Sequence, residues 1–575
     1  MNLEDISNSF YSLVSEKDED PFVDKTDLIA DLNKCLNKDY KKFKAVTRPR
    51  RFGKTVTAEM LELYYSKKYK SEEIFADLKI SKDPSFLKYI NKFNVIYWDM
   101  NDLDRSYNKL KSINKFDKFD NFDMVDNIEY QTILTLKENK DFNKIIGNLD
   151  LSLGDLIIKL REELKEQFII IIDEWDLIFR EFPNDFKLQK KLIKFFNDLF
   201  KAKNASGCFA LVYMTGILPI KKYQSNSLLN NFEEYNMLEP FEFAKYFGFT
   251  DDEVKDLIEK YTTKVTYQEL KDWYDGYKLA GIDIYNPNSV SLAIRKNCVL
   301  SYFKDSANNE DLFDCINMDL EGLKADVLSL LDGKKIPFSS DEFQNNVTEI
   351  RTKNDVFCLL VCLGYLACED IPKSYKNELI KFDEVINDSL SENNKLAFIP
   401  NTELKRLIDK KVTLSNWNIT KESRKLAIEL TEAITKDFDE ERASELFTNY
   451  YHSGKVSSFD KSKEYILRLA FIDMINPYAE NIYVVRQEDI LGLGRADIVY
   501  LPKPGYVYPY YPIIIELKID KSTKKAMDQI IAKKYYREYS ELYTDLILVG
   551  VNYNSKKQLC DFKITKYSDL INSLS

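Results

Sequence analysis

Apolar residues along the chain fall into two rhythms, short continuous runs and longer stretches with helical spacing, and their alternation divides the sequence. Between residues 21 and 240, the runs FKAVT (43–47), FNVIYWDM (93–100), FIIII (168–172) and CFALVYM (208–214) are separated by charged stretches, among them a predicted helix from Gln189 to Lys201. Strands buried on both faces read as unbroken apolar runs, so this segment predicts a parallel α/β domain. From 241 to 440 the spacing turns helical, as in Asp355 to Ala367 and Ser423 to Lys436, and predicts a helical middle domain or lid. YNPNS (285–289) punctuates it with a proline. From 441 to 575 the order is a helix near Asp460 to Met474, three strands (481–486, 495–500, 513–518), a helix from about Ser522 to Tyr539 and a strand at 546–552. The expected fold is α/β and multidomain, with an arm (1–20), a P-loop-like core (21–240), the helical middle (241–440) and a compact C-terminal α/β unit (441–575). A chain of 575 residues exceeds one hydrophobic core and suits about three or four domains.

Composition narrows the chemistry. No apolar run reaches the roughly 18 to 20 residues of a membrane span, and the first twenty residues are acidic rather than signal-like. Eight scattered cysteines fit buried thiols in a reducing compartment, so a cytoplasmic location is expected. Cys358, Cys362 and Cys368 lie in an apolar run that reads as a core helix rather than a metal site. His452 is the only histidine, and its polar surroundings read as a loop. Histidine zinc sites and Ser-His-Asp triads are thereby excluded, and any catalysis runs on carboxylates, lysines and arginines. A net charge of −11 speaks against nonspecific coating of nucleic acid, although basic clusters at 48–54 and 518–534 leave room for a local groove.

The stretch TRPRRFGKT closes a strand and opens a helix. In such a turn Gly53 lets the backbone wrap a phosphate, Lys54 reaches the terminal phosphates and Thr55 ligates Mg2+. The first glycine of the usual spacing is replaced by Arg48. Arg48, Pro49, Arg50, Arg51 and Phe52 make up the rest of the loop, and its arginines are rigid bidentate donors suited to phosphate. Roughly 120 positions on, IIIIDEWD delivers Asp173 and Glu174 from a buried strand, the first for Mg2+ and the second to polarise an attacking water. Taken singly, GKT can be a chance helix start and DE a helix cap; together they predict an ATP site. Thr215, ending the next strand, stands where a polar group can sense the terminal phosphate.

Near the C-terminus, GRADIVY and IIIELK place Asp497, Glu516 and Lys518 on neighbouring strands. With a period of two, Glu516 and Lys518 share a face, and Asp497 can complete a two-carboxylate Mg2+ site with a lysine beside the nucleophile. ELK alone reads equally as a surface ion pair; GRAD ahead of it changes the balance.

In order, FVDKT (22–26), RPRRFGKT (48–55), IIIDEWD (170–176), TGILPI (215–220), WYDGY (273–277), YNPNSV (285–290) and LGYLA (363–367) resemble the AAA-ATPase-like family that is typically fused to a PD-(D/E)xK nuclease. The resemblance implies an ATPase core and a nuclease half in which Asp497, Glu516, Lys518 and Gln529 of the following helix are active-site elements. It also implies an acid from the preceding helix, for which Asp460 and Glu464 both fit and the register favours Asp460. The reading is an ATP-regulated, Mg2+-dependent nuclease acting on DNA or RNA. Its alternatives are a nucleotide-driven switch or a nucleic-acid-binding module that does not cut, and a hydrolase of some other phosphoester. The oligomeric state is left open.

Overall fold

The computed structural model describes residues 8–112, 122–201, 206–220, 229–303, 323–331, 333–340, 352–371, 394–414, 418–452, 464–479, 482–503 and 510–574. The chain forms two compact units: Met1–Glu321 with Lys335–Glu369 and Lys395–Leu407, and Gly322–Lys334 with Asp370–Asn394 and Ile408–Ser575. The region expected as a separate middle domain is therefore shared between them. Among the described residues no helix is long and apolar enough to cross a membrane.

The first unit is built on a sheet of β1 (Phe43–Thr47), β2 (Asn94–Asp99), β3 (Phe168–Asp173), β4 (Phe209–Gly216) and β5 (Glu233–Tyr235), in the order β2-β3-β4-β1-β5. Every pair is parallel. β1, β3 and β4 are buried along their whole length, which is why they read as unbroken apolar runs. Successive side chains divide between two cores: Ile170 and Ile172 pack on one face with α3 (Phe186–Lys201), Ile169 and Ile171 on the other with α1 (Lys54–Tyr65).

The same unit carries the WYDGY and YNPNS segments on β6 (Phe249–Thr250), α4 (Asp251–Lys260), α5 (Tyr267–Tyr274), β7 (Tyr277–Leu279), β8 (Ile282–Tyr285) and α6 (Pro287–Lys296), with the strands in the order β6-β8-β7. Asp251 ties these pieces together. Its Oδ1 accepts from the hydroxyls of Tyr267 (2.6 Å) and Tyr285 (2.7 Å), and its Oδ2 pairs with Lys255 at 2.7 Å.

The second unit has a five-stranded sheet in sequential order: β9 (Tyr483–Leu491), β10 (Gly494–Pro502), β11 (Ile513–Ile519), β12 (Ile547–Asn554) and β13 (Leu559–Lys566). Only β11 and β12 run parallel, joined through helix α7 (Thr523–Lys533); the other pairs are antiparallel. Two features depart from the sequence expectation. The helix expected to run to Tyr539 stops at Lys533, because Lys534 turns left-handed (φ 56°) and a separate turn spans Arg537–Ser540. The last strand, β13, was not expected, because its buried residues Cys560, Phe562 and Ile564 alternate with exposed polar ones.

Partial burial alone would raise the Asp251 carboxyl, but the bonds from Lys255, Tyr267 and Tyr285 and the charge of Lys271 outweigh it and hold it well below the usual carboxylate range. A depressed folded value adds stability above the unfolded pKa of about 3.9, and that stability is lost as pH falls through the folded value. Asp251→Asn is therefore expected to destabilise the first unit at pH 7 by roughly 1–2 kcal/mol, allowing for its partial exposure. In urea titrations the deficit relative to wild type should shrink progressively below about pH 4; a deficit independent of pH would exclude this carboxylate as its source.

Candidate active sites

In the first unit β1 ends at Thr47 and the loop to α1 turns back through two left-handed residues, Arg51 (φ 63°) and Gly53 (φ 86°). Glycine adopts this backbone without penalty, and it sits at the start of α1, where amide groups face outward for an anion. The loop borders a cleft of about 660 Å3 whose wall includes Arg50, Arg51, Phe52, Gly53, Lys54, Thr55 and Glu174. Phe10, Leu13, Phe22, Val23 and Phe249 add an apolar part to its lining.

Lys54 is buried; its Nζ donates to Pro49 O at 2.9 Å and lies 3.9 Å from Glu174 Oε1. Burial lowers its pKa, against the pull of Glu174 and Asp173. The Thr55 side chain stands close enough to Asp173 to favour its charged form, which brings together the two residues expected to share Mg2+. Asp173 is pushed up to about 7, chiefly by burial with the charge of Glu174 adding, while Thr55 and Lys54 oppose the shift. A buried carboxylate in this state gains from a nearby cation. The donor set, a hydroxyl and a carboxylate with space for water in the cleft, is one that Mg2+ accepts.

Glu174 leaves β3 in a left-handed conformation (φ 57°), uncommon for a residue with a side chain and found at functional sites. The rest of the motif holds the neighbouring strand. Trp175 N bonds Thr215 O (3.0 Å), Trp175 Nε1 bonds Leu218 O (3.2 Å), and buried Asp176 accepts from the amides of Ile217 (3.2 Å) and Leu218 (2.9 Å).

Four predicted residues lie off the cleft wall, among them Asp173, which is buried at the end of β3. Arg48 is fully buried, with Nη1 bonded to Thr47 O and Tyr235 O at 2.8 Å each and its guanidinium carbon 5.5 Å from the Phe247 ring centre. Burial pushes it down to about 10. It is a strut from the end of β1 to β5 and does not line the cleft. Pro49 packs against Gly364, where a β-carbon would stand 2.7 Å from the proline ring. Thr215 is buried, and its hydroxyl has no hydrogen-bond partner among the described residues.

In the second unit β10 and β11 pair with Ile498 opposite Ile515, bringing Asp497 beside the end of β11. Asp497 Oδ2 accepts from Leu517 N at 2.7 Å. Glu516 Oε1 pairs with Lys518 Nζ at 2.6 Å, and Lys518 also reaches Leu517 O (3.0 Å) and Glu464 Oε1 (3.5 Å). Glu516 is pushed up to about 7 by burial and by Asp497, against Lys518, and its Oε2 is buried without a partner among the described residues. Burial likewise raises Asp497. For Lys518, burial would lower the pKa, but Glu516, Glu464 and Asp497 outweigh it and raise it.

Of the two candidate helix acids, Glu464, first residue of Glu464–Ala479, stands beside Lys518, and Asp460, favoured by register, lies outside the described residues. Gln529 does not bond a carboxylate. Its Nε2 donates to the Tyr535 hydroxyl (3.1 Å), which donates to Arg495 O (2.6 Å) and so braces the head of β10. Among the described residues no cluster of three His, Cys, Asp or Glu side chains is arranged to hold one ion, so Asp497 and Glu516 would supply two ligands. Two carboxylates plus waters suit Mg2+, and the unpartnered Glu516 oxygen is a free donor for it.

A parallel sheet whose first loop holds Lys54 against acids from a central strand defines a P-loop type of nucleotide fold, and the Asp497, Glu516 and Lys518 grouping defines a nuclease-like one. The family comparisons agree: residues 8–225 match the predicted AAA-ATPase family, and residues 462–562 match the PD-(D/E)XK nuclease superfamily. The chain carries an AAA-ATPase-like domain followed by a PD-(D/E)XK nuclease-superfamily domain. An uncharacterized protein in the vnfD 5' region of Azotobacter chroococcum mcd 1 is 21% identical over 314 residues, which cover 53% of this chain and 54% of that protein. The chain thus spans about half the length of the curated relative it matches.

A β-carbon at Gly216 would stand 2.6 Å from both Asp176 Oδ1 and Trp175 Cδ1. Gly216→Ala is expected to force this corner apart at a cost of roughly 1–3 kcal/mol. Urea denaturation should register the loss; unchanged stability would mean that the corner is not close-packed.

Proposed function

We propose that the first site binds ATP with Mg2+ and hydrolyses it, and that the second cuts phosphodiester bonds of DNA or RNA with Mg2+. The first half rests on Lys54, Thr55 and Glu174 on the wall of a cleft large enough for a nucleotide, with buried Asp173 beside them. Lys54 and the loop amides bind the phosphates, Thr55 and Asp173 hold the ion, and Glu174 orients water toward the terminal phosphate. Arg50 and Arg51 line the cleft and offer forked donors to the same anion.

The second half rests on Asp497, Glu516 and Lys518 converging where β10 and β11 lie side by side. Asp497 and Glu516 would hold Mg2+, which when bound activates water and offsets charge on the phosphate oxygens. Lys518, anchored on Glu516, sets a positive charge where the nucleophile or the scissile phosphate would stand. The competing reading is a module that binds nucleic acid without cutting it.

Lys54→Ala should abolish ATP binding, whereas Glu174→Gln should retain it and turn over slowly. If neither variant alters affinity or rate, the first assignment is wrong. Asp497→Asn and Glu516→Gln should weaken Mg2+ binding, while Lys518→Ala should spare the metal and slow cutting at least about a hundredfold. ATP hydrolysis should survive all three. Labelled DNA and RNA incubated with wild type and Mg2+ or Mn2+, with and without ATP, decide the remaining question: binding with no nick in any substrate supports the module.

A further inference from the structure

Arg180 has no part in the account above, yet it stands on the cleft wall beside Glu174 and the phosphate loop. It belongs to the short helix α2 (Leu177–Glu181) and forks between two acids. Nη2 bonds Glu174 Oε2, and Nε bonds Asp176 Oδ2 at 3.2 Å. Asp176 is itself fixed by the amides of Ile217 and Leu218. A continuous set of bonds therefore runs from the backbone beyond β4, through Asp176 and Arg180, to the Glu174 carboxylate. Lys54 stands 3.9 Å from the other Glu174 oxygen.

A glutamate side chain has three rotatable bonds, and a group that directs water must be held within a fraction of an ångström. Neither the strand nor the left-handed backbone of Glu174 sets the direction of its carboxylate. The planar guanidinium does, because two of its nitrogens are engaged at once and one is tied to a fully buried acid. Lys54 makes no such anchor, since its ammonium is bonded to Pro49 O and is needed by the phosphates.

We propose that Arg180 is a positioning residue for Glu174, setting the angle at which that carboxylate presents water to the terminal phosphate of ATP and leaving nucleotide binding to Lys54 and the loop. The proposal rests on the ATPase reading of the site. Two other roles compete with it. Arg180 would touch the phosphates directly if it served as a charge on the transition state, and it would matter only to stability if the ion pairs were structural.

A double-mutant cycle on the full chain separates the three, with ATP and Mg2+ as probes, steady-state kinetics for single variants and prolonged single-turnover reactions for slow ones. Arg180→Ala should lower kcat at least about tenfold while leaving KM and Kd for ATP within about threefold. In the Glu174→Gln background the same change should alter the rate by less than about twofold, because the group it directs is gone. Arg180→Lys keeps the charge but cannot grip both acids, and it should recover part of the rate. If Arg180→Ala is not folded at the assay temperature by thermal melting, Arg180→Lys takes its place in the cycle. An unchanged kcat overturns the proposal, as does a loss equally large without the Glu174 carboxylate, which would assign Arg180 to the phosphates. Wild-type protein that binds no ATP would instead remove the ATPase reading itself.

Discussion

A carboxylate on a strand buried on both faces cannot keep its charge cheaply, and both sites are organised around that cost. β3 delivers Asp173 after four isoleucines, and β11 delivers Glu516 after three. Asp173 and Glu516 are each pushed up to about 7, with burial the first cause. Each is partly relieved by a lysine, Lys54 from the neighbouring helix in one unit and Lys518 two positions along the same strand in the other. The relief is incomplete. Around β3 stand Asp173, Glu174 and Asp176 against Lys54 and Arg180; around β11 stand Asp497, Glu516 and Glu464 against Lys518 and Arg468. A deficit of positive charge beside a polar opening is the condition under which a divalent cation is held most strongly.

The isoleucine runs made these strands legible in the sequence, since only a doubly covered strand reads as an unbroken apolar run. The acids and lysines at their ends were legible for the same reason, because a charge placed beside such a run requires a partner. Partners chosen by tertiary approach were not legible. Arg180 lies six positions beyond Glu174 in a segment with no motif signal, and its role appears only when the fork between Glu174 and Asp176 is seen. Gln529 was expected at the carboxylates, and the structure shows it one residue removed, acting on β10 through Tyr535. A glutamine on a helix after the strand fits either position, and spacing alone does not separate them.

The loop RPRRFGKT contains both kinds of residue. Its substitution of Arg48 for a glycine looked like an added phosphate contact, but the position is a strand end where β1 must be joined to β5, and a fully buried guanidinium bridging two carbonyls does that. The sharp turn of the backbone falls instead at Arg51 and Gly53. Arg50 and Arg51 face the cleft, whereas Pro49 and Phe52 also serve the packing behind the loop.

That packing accounts for the two motifs with no chemistry of their own. Phe52 meets the edge of the Tyr277 ring from WYDGY at 5.3 Å between centres, and the buried Tyr277 hydroxyl donates to Gly364 O of LGYLA at 2.6 Å. Gly364 ends the helix Lys353–Leu363 in a left-handed conformation (φ 83°) that glycine tolerates best, and its missing side chain admits the ring of Pro49. A phosphate loop backed by solvent would have to be ordered by its ligand, at an entropic cost subtracted from affinity. Here Pro49 and Phe52 are pressed onto Gly364 and Tyr277, so residues more than two hundred positions downstream hold the loop in its turned form, and the spacing of WYDGY and LGYLA follows from where that loop needs support.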